Sequence, residues 1–109
     1  MNVRLYIWQR ATAALMAVLV PIHIAVIFYA TRQQLTAADI LARTHGSALW
    51  ASYYGLFVAA ASIHASIGVR NILTEWTPLD DRGAGWSATV FGIVLALLGL
   101  HAVVALVFM

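Results

Sequence analysis

Residues 11–30 read ATAALMAVLVPIHIAVIFYA, an uncharged run that decides the fold. Its length matches the ~20 residues an α-helix needs to cross bilayer hydrocarbon. Backbone groups in lipid must bond one another within the segment, so the run should be helical. Pro21 removes one donor and crowds the carbonyl of Ala17, which predicts a mild kink. Extended to its flanks, this first span covers about 5–30. Two further runs, about 48–73 and about 86–108, meet the same length requirement. The expected fold class is all-α: an integral membrane protein with three transmembrane helices, in one domain over 1–109.

Composition agrees. The 109 residues are 63% hydrophobic and 9% charged, where soluble domains carry about a quarter charged residues. A chain this short has too little interior to hide so much apolar surface, so lipid is its natural solvent. The first apolar region is too long for the roughly 7–15-residue core of a signal peptide, and no good A-x-A site follows it. The absence of cysteine excludes a disulfide framework, an iron–sulfur cluster and a thiolate zinc site. No basic run with interleaved aromatics exists, which sets nucleic acid aside as a partner.

Arginine placement predicts orientation. Arg4 and Arg10 precede the first span, and Arg70 and Arg82 flank the turn between the second and third. The opposite side holds Arg32 and Arg43. The positive-inside rule then puts the N-terminus in the cytoplasm and the C-terminus outside. Trp8, Trp50, Trp76 and Trp86 fall near the expected interfaces, as in aromatic belts. In the outer loop Thr36 and Asp39 have capping-box spacing, with Leu35 and Ile40 placed as a hydrophobic staple. Residues Thr77 to Gly83 (TPLDDRG) read as a helix stop and a tight turn.

Three histidines, His23, His64 and His101, lie within spans, where an ionisable group is a functional hypothesis. His45 falls in a loop and is expected to be solvated. Around His64, Ala60 and Ala61 lie one turn before and Gly68 one turn after. This leaves room above and below the imidazole for a porphyrin seated edge-on to the helix. The competing reading is a packing histidine bonded to a serine or a carbonyl. Ser62 and Ser66 are expected to bond carbonyls of their own helix. No carboxylate lies in mid-span, which weighs against a small transporter.

The stretch 63–76, IHASIGVRNILTEW, resembles the second-span signature of the succinate dehydrogenase membrane anchors. That signature is a His, a Gly four residues on, an apolar stretch and an acidic–aromatic pair. Arg10-Ala11-Thr12-Ala13 is similar to the start of the first span in the smaller, D-type anchor. Leu35-Thr36 and Pro78-Leu79 also fit, so the resemblance covers about 10–79. The Gly68-x-Arg70 spacing is shared with the larger, C-type companion.

The resemblance implies a non-catalytic subunit of succinate:quinone oxidoreductase, which joins the tricarboxylic acid cycle to the respiratory chain. Its partners would be a flavoprotein subunit, an iron–sulfur subunit and a second three-span anchor, bundled together in the lipid bilayer. The cofactor would be haem b, shared by the two anchors, with quinone as substrate. His64 falls on the axial ligand of the haem iron, with Gly68 in the haem-contact position. Trp76 stands where the family usually has a quinone-bonding Tyr. An indole N–H can still donate one bond but has no titratable hydroxyl. Glu75 would pair with Arg70 or Arg82 or assist proton delivery to quinone, with simple solvation at the surface as the plain alternative. Arg10 would bond a haem propionate or lie near the quinone head, with snorkelling to lipid phosphate as the plain alternative. A fumarate reductase anchor, a haem-free membrane tether and a small transporter are the alternative functions.

Overall fold

The computed structural model describes residues 3–109. Four helices follow in order: α1 (Val3–Arg32), α2 (Ala37–Thr44), α3 (Ala48–Trp76) and α4 (Asp81–Val107). Three of them are long and apolar enough to cross a membrane. The long axis of the molecule is 48 Å, close to the ~40–45 Å of a bilayer with its headgroups. The fold is an all-α, three-span membrane bundle, as the apolar runs require. α1 continues through Pro21 without ending.

α3 is the central helix and packs against both α1 and α4. Lipid is as apolar as leucine, so burial of apolar surface does not drive this association; close packing and interhelical hydrogen bonds do. Small residues supply the close packing. Ala60 of α3 and Ala84 and Ala88 of α4 are buried. A Cβ on Gly92 would stand 2.9 Å from Ser66 Cβ, so α4 rests directly on α3 at that point. The outer faces stay apolar and exposed, with Ile24, Phe28, Val94, Leu97 and Leu98 turned to lipid.

Interhelical hydrogen bonds tie the seams. Tyr53 donates its hydroxyl to Leu19 O at 2.5 Å, joining α3 to α1. Ser66 donates to Ala88 O at 2.8 Å, joining α3 to α4. Ser66 therefore bonds the neighbouring helix, not its own as its sequence position led us to expect. The close approach at Gly92 brings that foreign carbonyl within reach.

The helix ends carry their own instructions. Thr36 and Asp39 form the expected capping box of α2: Asp39 N donates to Thr36 Oγ1 at 3.1 Å and Thr36 N to Asp39 Oδ2 at 2.9 Å. α1 ends in a Schellman motif, with Leu35 N bonded to Ala30 O and Gln34 N to Thr31 O. Gln34 takes the left-handed position at φ 53°. Gly46, at φ 71°, makes the corner between α2 and α3. The turn expected over 77–83 is shorter than its composition implied. Asp80 caps α4 by accepting from Gly83 N at 2.7 Å, so Asp81, Arg82 and Gly83 form its first turn. An Asp with acidic Asp81 behind it favours a helix start, and the glycine is tolerated there.

α2 is bound to the far end of α4. Thr44 shares its hydroxyl proton between Ile40 O at 3.1 Å and Leu106 O at 2.9 Å. Gly46 N donates to Val107 O at 2.7 Å. These bonds occupy carbonyls that the last turn of α4 would otherwise leave open.

Candidate functional site

The site is built on the seam between α1 and α3, which run antiparallel. Thr12 stands opposite His64, and its hydroxyl oxygen lies 3.2 Å from His64 Nδ1. One turn nearer the N-terminus of α1, the Gln9 side chain lies over Gly68, with Nε2 3.7 Å from where a glycine Cβ would be. The clearance at Gly68 is thus partly used within the chain. Thr12 is 5% exposed, and His64 is half-buried.

The hydroxyl of Thr12 also lies 2.8 Å from Trp8 O and 3.1 Å from Gln9 O. Both are carbonyls of its own helix, the usual acceptors for a helical threonine. Gln9 Oε1 is buried with no donor among the described residues. A buried acceptor without a donor is costly.

The other singled-out residues are placed differently. Arg10 is exposed, about 200° around α1 from Thr12 at 3.6 residues per turn. Glu75 is exposed, and Trp76 is 80% exposed. Among the described residues no ion pair joins Glu75 to Arg70 or Arg82. Trp76 lies ~18 Å along the axis from His64 at 1.5 Å per residue. The chain alone brings neither Arg10 nor the Glu75–Trp76 pair to the imidazole. Trp8 and Trp86 are exposed near helix ends, whereas Trp50 stacks on Tyr54 with ring centroids 5.7 Å apart.

The remaining histidines have distinct surroundings. His23 makes edge contacts with Tyr54 and Phe57, at centroid distances of 5.6 and 5.3 Å. It borders an apolar cavity of about 360 Å³ with Tyr54, Phe57 and Gly99. His101 is exposed on α4, and His45 is exposed in its loop as expected. Among the described residues no three His, Asp or Glu side chains converge into a metal site.

Sequence reasoning missed Gln9 and gave Thr12 no role. The available signal was that both are polar interruptions at the start of the first span, one turn apart on α1.

Haem fits this donor set. A single imidazole with Nδ1 3.2 Å from a hydroxyl, and no partner at Nε2 among the described residues, is the kind of donor a porphyrin iron takes from one subunit. Comparison with curated proteins and with solved structures gives no match. The family model described as succinate dehydrogenase/fumarate reductase transmembrane subunit matches residues 1–101. The chain belongs to that family of membrane subunits of an oxidoreductase complex.

Proposed function

We propose that the chain is the D-type anchor of a succinate:quinone oxidoreductase and holds one side of a shared haem b through His64. The observation that carries this reading is the imidazole itself. It lies within a helix long and apolar enough to span a membrane, with Nδ1 3.2 Å from the Thr12 hydroxyl. The chain performs no chemistry alone. It positions cofactor and quinone while a flavoprotein and an iron–sulfur subunit oxidise succinate and deliver electrons. Haem b, when bound, would supply a one-electron carrier.

The other residues have roles that a second anchor completes. The exposed guanidinium of Arg10 binds a haem propionate, for which its planar fork is suited. Gly68, whose open side Gln9 partly fills, would leave the remaining space to the cofactor. Trp76 donates its indole N–H to a quinone carbonyl, and Glu75 beside it relays protons. The end of the bundle bearing Arg4, Arg10, Arg70 and Arg82 faces the cytoplasm, where the soluble subunits dock.

The test is a reduced-minus-oxidised spectrum of the complex co-expressed with its genomic neighbours. A low-spin b-type band that disappears in His64→Ala is the expected result. An unchanged band in that variant refutes His64 as ligand. A complex that assembles without any haem favours the tether instead.

A further inference from the structure

We infer that Thr12 is a positioning residue that selects the tautomer of His64 and sets the basicity of its metal-binding nitrogen. The inference rests on the proposed haem ligation by His64 and concerns how that ligand is tuned.

A threonine hydroxyl has one proton and two acceptor lone pairs. Three groups surround the Thr12 oxygen: Trp8 O at 2.8 Å, Gln9 O at 3.1 Å and His64 Nδ1 at 3.2 Å. Both carbonyls can only accept, and Trp8 O is the nearest of the three. The hydroxyl proton therefore goes to the α1 backbone, and the oxygen presents a lone pair to His64. Nδ1 must then carry the ring proton and donate it to Thr12. A neutral imidazole has one N–H, so Nε2 keeps its lone pair for iron.

Burial strengthens the selection. Thr12 is 5% exposed, so water does not compete with the imidazole for its oxygen. The side chain is also stiff: a β-branched residue in a helix has few χ1 choices, and the backbone bond fixes this one. Thr12 thereby orients the His64 ring across 52 residues of sequence. A ligand imidazole that donates its second N–H becomes a stronger base. A stronger base favours ferric over ferrous iron, so this bond lowers the potential of the haem.

The test uses the assembled complex with three substitutions at Thr12. Thr12→Val keeps the shape and removes the hydroxyl. Thr12→Ala removes it without adding bulk, so one of the two is readable if the other disturbs packing. Thr12→Ser restores the hydroxyl. The expected result is a midpoint potential shifted upward in Val and Ala, haem affinity lower by about 10–100-fold, and both values recovered in Ser. A purely structural role would alter stability without moving the potential of the haem that remains. Unchanged potential and affinity in Val and Ala, with the band still lost in His64→Ala, overturn the role of Thr12 and leave the ligand assignment intact. Persistence of the band in His64→Ala removes the assignment and this inference together.

Discussion

Gly99 of α4 lies directly against Val58 of α3: a Cβ on the glycine would stand 2.6 Å from Val58 Cγ1 and 2.8 Å from Cγ2. No side chain fits that gap without moving one helix. Gly99→Ala should destabilise the bundle by about 1–3 kcal/mol, the usual cost of overpacking. Val58→Ala should recover much of the loss in the double variant, because the two positions are coupled. Reversible unfolding in mixed micelles measures both. A Gly99→Ala protein as stable as the parent would mean the helices are not this close.

The α1–α3 seam has its own fastener. Tyr53→Phe removes the hydroxyl that reaches Leu19 O and leaves the ring in place. The expected cost is about 0.5–1.5 kcal/mol. Leu19 O keeps its backbone partner in the helix, so the loss should stay near the lower bound. The same unfolding assay reads it, and no change would remove this bond from the account of how α1 is held.

Gln34 occupies a left-handed backbone position that glycine adopts without strain. Gln34→Gly should stabilise the end of α1 by about 0.5–1 kcal/mol, part of the ~1–2 kcal/mol that an L-residue loses there. A rise in thermal midpoint checks it. A fall would mean the Gln34 side chain contributes more than its backbone costs.

The α2 capping box makes a pH-dependent contribution. The Thr36 backbone N–H first, and the Thr36 hydroxyl second, hold the Asp39 carboxyl below its ordinary value of 3.8. Slight burial opposes them, and Arg43 adds a further lowering. The folded value is depressed, so the contribution is present above pH ~3.9. It is lost as pH falls through the lower folded value. An NMR titration of the Asp39 carboxyl should give a midpoint below that of Asp in a free peptide. Thr36→Val should move the midpoint back towards it; a midpoint already at the peptide value would leave the box without electrostatic weight.

The three crossings were legible because lipid imposes a single rule, length of apolar chain, that composition displays directly. Thr36 and Asp39 were legible for the opposite reason: a cap is local, and three residues contain all of it. The start of α4 was obscured because Asp80, Asp81, Arg82 and Gly83 are also the residues of a turn. Only the bond from Gly83 N to the Asp80 carboxylate separates the two readings. The Thr12–His64 pair was out of reach. Both helices are apolar nearly all round, so hydropathy does not reveal which face of one meets the other. Ser66 shows the same limit, since its bond to Ala88 depends on how closely α4 approaches. His64 itself stood out because an imidazole in hydrocarbon is conspicuous, whatever surrounds it.

The bonds from Thr44 and Gly46 to the last turn of α4 have a consequence for biogenesis. The acceptor Leu106 O is synthesised 62 residues after Thr44, and Val107 O follows it. The connection between the first two crossings emerges long before them. It can lock only once the third crossing has been inserted and its end has arrived on the same side. A nascent chain stopped before Leu106 should therefore show rapid hydrogen exchange at the Gly46 amide, and slow exchange there would uncouple the loop from the arrival of α4.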